Sequence, residues 1–161
     1  MLSKPSIYVT GTLWKRARPG TLVVACSDGR LQENLDDFLH QGLGIAHYDR
    51  LYAPGGGGVL SRSGSDFLRS DHFRSECKYL INLHAVTDLY LIFHGPSSTG
   101  PEEALCADYR RKMPWASVEE VRHQQSLDAR DAMSLAWDRP VRMHAYGCEV
   151  TRDDAVRFIA L

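Results

Sequence analysis

Short apolar runs alternate with amphipathic stretches along the chain. Residues 22–26 (Leu-Val-Val-Ala-Cys) form a continuous apolar run between turn-forming residues, which predicts a buried strand. Residues 89–93 (Leu-Tyr-Leu-Ile-Phe) are the most strand-like segment of the chain. Weaker signals predict a short strand over 48–53 and a last strand over 140–148, whereas the tail at 153–161 is ambiguous.

Helical periodicity marks the segments between these strands. Apolar residues at helical spacing predict a first helix over 31–43, and Ser65 is a candidate N-cap for a long second helix. Pro101 suits the first turn of another helix. A capping box that begins at Ser117 (Ser-Val-Glu-Glu) opens a helix that extends as far as Trp137.

The order of these elements predicts the fold class. Strands that alternate with helices favour an α/β domain in which a central, largely parallel β-sheet is flanked by helices. The stretches at 54–58 and 95–101 are rich in glycine and proline, and we interpret them as loops within one domain over 1–161. In such sheets the chemistry gathers at the carboxyl ends of the strands.

Composition narrows the possible partners. The chain has 161 residues, of which 43% are hydrophobic, so it can bury a core. Lys and Arg number 19 against 20 Asp and Glu, and this balance gives no reason to expect a nucleic-acid partner. The apolar runs are far shorter than the ~18 residues that cross a bilayer, and no secretory signal is evident. We therefore expect a cytoplasmic protein whose four cysteines are reduced.

Two of the predicted strand ends carry residues suited to metal chemistry. Cys26, Asp28 and Arg30 alternate after the first strand, so a near-extended backbone directs all three side chains to one side. Asp28 and Arg30 can form a charge-assisted pair, and Cys26 can serve as a thiolate ligand. His94 follows the 89–93 strand, so Cys26 and His94 supply two ligands of the kinds that zinc prefers.

A Cys-x-Asp-x-Arg motif at a strand end, a glycine-rich turn and a later strand ending in His together resemble the β-class carbonic anhydrases. The matching segments are 22–30, 51–56 and 91–95. This resemblance implies a β-carbonic-anhydrase-like fold with Cys26 and His94 as zinc ligands. It makes Asp28 and Arg30 the catalytic pair that positions the metal-bound water. In closed forms of the family, Asp28 is itself released to become a metal ligand.

The resemblance also implies an activity and an assembly. The activity is the reversible hydration of carbon dioxide to bicarbonate by a zinc-bound hydroxide, and the assembly is a homodimer or a higher homo-oligomer with the site close to a subunit interface. Ala53 and the glycines of 55–58 would then line the substrate pocket. We expect four consecutive glycines to be unusually mobile, because glycine has the largest backbone freedom to lose.

The chain departs from the family pattern at the third ligand. The family has His-x-x-Cys, and Ser97 stands at the position of that cysteine. A neutral hydroxyl is a poor zinc ligand beside a thiolate, so the third ligand is open between Asp28, Cys106, Cys148 and none. Cys106 is also a candidate core residue, because free cysteines are often buried.

Two other functions fit the same residues. One is a non-catalytic relative that keeps the fold but has lost zinc because of Ser97. The other, the weaker, is a thiol enzyme in which Arg30 lowers the pKa of a nucleophilic Cys26. It is weaker because no base is evident beside the cysteine.

Overall fold

A mainly parallel sheet forms the centre of the molecule in the computed structural model, which describes residues 7–64 and 66–161. The strand order is β2-β1-β3-β4-β5, with parallel pairing throughout except between β4 and β5. The prediction of an α/β fold with a largely parallel central sheet is confirmed. The strands are β1 (Thr21–Ala25), β2 (Asp49–Tyr52), β3 (Asp88–Pro96), β4 (Arg142–Val150) and β5 (Val156–Ala160).

Four α-helices and several short turns connect these strands in the described part of the chain. The predicted helix over 31–43 is divided, because α1 is preceded by a 3-10 turn and followed by a π turn over Phe38–Gly42. Ser65, the predicted cap of the second helix, lies outside the described residues. Asp66 caps that helix by accepting a hydrogen bond from the Arg69 N–H. The helices are α1 (Gln32–Asp37), α2 (Phe67–His84), α3 (Ala107–Lys112) and α4 (Val118–Met133).

The later helices follow their sequence signals in part. The capping box at Ser117 is present, but α4 ends at Met133, four residues before Trp137. Pro101 precedes a 3-10 turn over Glu102–Ala104, and α3 begins only after that turn. None of the helices within 7–64 and 66–161 is long and apolar enough to cross a membrane.

Both faces of the sheet are covered, which explains the continuous apolar run of the first strand. Leu22 and Val24 of β1 pack on one face with residues of α2, α3 and α4. Val23 and Ala25 point to the opposite face, where α1 packs on the sheet. Alternate residues of β1 thus enter two separate cores, and the carboxyl end of this strand is fixed from both sides.

The tetraglycine segment, which we predicted to be unusually mobile, is part of the packed interior. Gly56–Leu60 forms a 3-10 turn in which every residue is buried. A Cβ atom on Gly56 would lie 2.3 Å from the Ile92 carbonyl oxygen, and one on Gly58 would lie 2.2 Å from the Tyr109 hydroxyl. Glycine is therefore required here for close backbone approach.

The buried thiol of Cys77 in α2 leads to a prediction about pH. Burial raises the pKa of this thiol from its usual 9.0 to about 12. The folded chain therefore keeps a proton that the unfolded chain loses above pH 9, and the free energy of unfolding falls as the pH rises from 9 towards 12. In this window, we expect the free energy of unfolding of the wild type to fall by up to about 1.4 kcal/mol per pH unit more than that of Cys77→Val. Urea unfolding of both proteins measures the difference. Equal slopes for the two proteins would contradict the prediction.

Candidate metal centre

Cys26 lies directly after β1, at the carboxyl edge of the sheet. The Ala53 N–H donates to the Ala25 carbonyl at 3.0 Å, and the Ser27 N–H donates to the Ala53 carbonyl at 3.3 Å. These two bonds continue the parallel pairing of β1 and β2 past the ends of both strands. The backbone on each side of Cys26 is therefore fixed, and its half-buried sulfur points into the site.

His94 lies within β3, two residues before its end, and is buried with 4% of its surface exposed. Its Nδ1 lies 3.2 Å from the Ala104 carbonyl oxygen. A carbonyl only accepts, so Nδ1 carries the proton and Nε2 presents a lone pair. That Nε2 is buried and has no hydrogen-bond partner among the described residues. A histidine ligand held in this way is typical of zinc sites.

Cys106 brings a second sulfur to the same place. It lies between the Glu102–Ala104 turn and α3, in the cap position of that helix, and is buried. The ligand atoms of Cys26, His94 and Cys106 all lie within 4.8 Å of one another. Ligand atoms of a tetrahedral zinc site are separated by about 3.5–4 Å, so small side-chain movements would suffice to close around an ion.

The two close sulfurs shift each other's pKa in opposite directions. The Cys106 side chain is the main cause that lowers the pKa of Cys26, His94 and the Gly55 N–H lower it further, and burial opposes the effect. The pKa of Cys106 is raised, first by Cys26 and then by burial. Two sulfurs and one imidazole nitrogen within one pocket form a donor set that a dication can occupy by displacing thiol protons.

Asp28 and Arg30 form the ion pair that the sequence predicts. The Arg30 Nη2 lies 2.6 Å from Asp28 Oδ2, and its Nε lies 3.0 Å from Oδ1. This bidentate contact lowers the pKa of Asp28 to about 2. Arg30 also donates to the Glu103 carbonyl at 3.2 Å, so the pair joins the Cys26 loop to the Glu102–Ala104 turn.

Neither Asp28 nor Cys148 belongs to the group of three close ligand atoms. Asp28 is engaged by Arg30, and its roles as a ligand and as a catalytic residue stay predictions. Cys148 is paired with His94 in the β3–β4 register. Burial raises the pKa of its thiol to about 12, so it is neutral. Ser97 is buried, and its hydroxyl has no hydrogen-bond partner in the described part of the chain.

A small cavity adjoins Cys26 and His94. Its volume is about 10 Å³, about enough for one water molecule, and its walls are mostly apolar. A separate outer cavity of about 390 Å³ is lined by Asp28, Arg30 and residues of the β4–β5 connection. The lining residues of the small cavity are Ala25, Cys26, Leu31, Gln32, Leu35, Ile92, His94 and Cys148.

Comparison with known proteins gives a partial likeness to a solved structure. No family model and no curated protein matches the chain. Among solved structures, it is similar to a β-carbonic anhydrase, isoform I, from the protozoan Trichomonas vaginalis. The two share 14% identity, and the match covers 94% of this chain and 88% of the other, with a TM-score of 0.49. The candidate metal centre is therefore inferred from the positions of its own residues and not from this likeness.

Sequence reasoning named Cys26 and His94 but left Cys106 among several candidates. Cys106 follows His94 by twelve residues, and no metal-ligand spacing joins the two. A usable signal was its place just before α3, where Ser, Thr or Asp usually caps a helix. The Cys106 side chain makes no cap hydrogen bond, however, so this position alone does not mark it as a metal ligand.

Proposed function

We propose that this chain binds one zinc ion through Cys26, His94 and Cys106 and catalyses the reversible hydration of carbon dioxide to bicarbonate. The observation that carries the metal site is the buried, unpartnered Nε2 of His94, which lies within 4.8 Å of two cysteine sulfurs. Two thiolates and one imidazole form a donor set that suits zinc, and three protein ligands leave the open position of a catalytic site.

The surrounding residues suit a hydration reaction. Zinc in such a site supplies hydroxide near neutral pH. Arg30 keeps Asp28 ionised, so Asp28 can only accept hydrogen bonds. It would orient the attacking water by accepting a hydrogen bond from it at a carboxylate oxygen. Ala104 holds the ring of His94 in one tautomer, so that its orientation does not change during the reaction.

The wall of the inner cavity suits an uncharged molecule. Its volume of about 10 Å³ is about enough for one water molecule, and apolar side chains make up most of its wall. Carbon dioxide is small and has no net charge, so it loses little hydration free energy when it contacts an apolar wall of this kind.

The direct test is metal analysis of the protein purified without chelator and without added zinc. We expect close to one zinc ion per chain and measurable hydration of carbon dioxide in a stopped-flow pH assay. Cys26→Ser is expected to lose both, because a neutral hydroxyl replaces a thiolate ligand. Protein that holds no zinc and does not bind added zinc would contradict the proposal, and would favour the relative without catalysis.

A further inference from the structure

A buried ion pair joins α2 to the start of α3, close to Cys106 in the chain. The carboxylate of Asp108 is only 1% exposed, and the Arg69 Nη1 lies 3.2 and 3.1 Å from its two oxygens. Arg111 donates to it at 2.6 Å, and the Lys112 ammonium lies 3.7 Å away. A buried carboxylate is costly unless several donors satisfy it, and this one has them.

The same arginine reaches the turn that holds Cys26. The Arg69 Nη2 donates to the Pro54 carbonyl. Pro54 follows Ala53, whose backbone bonds fix the chain on both sides of Cys26. One guanidinium therefore joins the Cys26 side of the site to α3.

Asp108 connects the pair to the segments on both sides of the site. It follows Cys106 by two residues at the start of α3. The Asp108 carboxylate is packed against Gly55, where an added Cβ would lie 2.5 Å from Oδ2. The turn at 53–55 and the start of α3 thus meet at one side chain.

We propose that Arg69 and Asp108 are positioning residues that set the separation of the Cys26 and Cys106 sulfurs by joining the turn at 53–55 to the start of α3. Neither residue belongs to the three proposed ligands. The consequence for zinc rests on the proposed function, whereas the placement of the two thiols does not. Residues outside the ligand set that orient metal ligands commonly change metal affinity 10- to 100-fold.

The test compares Arg69→Met with a matched control. Arg62 forms a similar pair with Asp71 at 2.6 Å, but both side chains are more than half exposed, so Arg62→Met removes a comparable contact away from the site. We expect Arg69→Met to lower zinc affinity about 10- to 100-fold in a chelator competition and to shift the thiolate-to-metal band of the cobalt-substituted protein. Arg62→Met is expected to change neither. Wild-type affinity and an unshifted band in Arg69→Met would overturn the proposal.

A second measurement uses metal-free protein and separates positioning from general destabilisation. We expect Arg69→Met to raise the rate of Cys106 alkylation about tenfold through local opening, with the rate at the buried Cys77 unchanged. Equal acceleration at both thiols, or none at Cys106, would overturn the proposal. If Arg69→Met does not fold, Arg69→Lys serves instead, because lysine keeps the charge but loses the fork that reaches Pro54 and Asp108 together. Wild type without zinc would contradict the proposed function and leave this comparison intact.

Discussion

Replacing Cys106 with serine is expected to lower the zinc affinity of the chain at least about 100-fold. Zinc binding by four ligands is worth about 10–16 kcal/mol, so one thiolate contributes about 2.5–4 kcal/mol. Serine suits the position before α3, because it is a preferred N-cap residue, but its neutral hydroxyl is a poor zinc ligand. The measurement is a competition titration against a chromophoric chelator, and circular dichroism checks that the variant folds.

Ser97→Ala is the matched control for that experiment. Ser97 is also buried near the end of β3, but its hydroxyl is not among the three close ligand groups. We expect the removal of this hydroxyl to leave zinc affinity within about twofold of wild type, because a substitution that removes no metal ligand has only a small effect. If Ser97→Ala weakens zinc binding and Cys106→Ser does not, then the third ligand has been assigned to the wrong residue.

Replacing Gly56 with alanine is expected to lower the free energy of unfolding by about 2–5 kcal/mol. Gly56 has a φ of +56°, which costs a residue with a Cβ about 1–2 kcal/mol. That Cβ would also lie 2.3 Å from the Ile92 carbonyl oxygen and 3.0 Å from the Cys26 nitrogen, and such overpacking typically costs about 1–3 kcal/mol. Both neighbours are backbone atoms, which a side-chain rotation cannot move.

Gly29→Ala gives the comparison, because a Cβ there has no heavy atom within 4 Å and the position has no positive φ. We expect this control to change the free energy of unfolding by no more than about 1 kcal/mol in urea titrations followed by tryptophan fluorescence. Similar losses in both variants would show that close approach at Gly56 is not what requires glycine.

The sequence was sufficient to predict the sheet and to single out two of the three residues whose ligand atoms lie close together. The run at 22–26 is continuously apolar because β1 is covered on both faces, and this makes its end at Cys26 easy to locate. His94 could be placed for the same reason, since β3 lies between β1 and β4. Parallel strands end at one edge of a sheet, so the two residues were expected to meet.

Cys106 could not be placed by the same reasoning because no regular element carries it. The chain returns to the site through the Glu102–Ala104 turn, and the geometry of that turn depends on tertiary contacts such as Arg30 to Glu103. The tail was ambiguous because β5 is a short strand at the edge of the sheet, where only one neighbour enforces a pattern. The tetraglycine turn was misread because glycine signals both freedom and close packing.

The burial of the His94 Nε2 without a hydrogen-bond partner among the described residues has a consequence for the lifetime of the protein. A buried acceptor without a partner costs about 1–3 kcal/mol, a sizeable share of the 5–15 kcal/mol that keeps an ordinary domain folded. An ion that satisfies this nitrogen removes the penalty and, by mass action, adds its own binding energy to the native state. Zinc supply would then act on protein abundance as well as turnover, since chains made under metal starvation open more often and are degraded sooner.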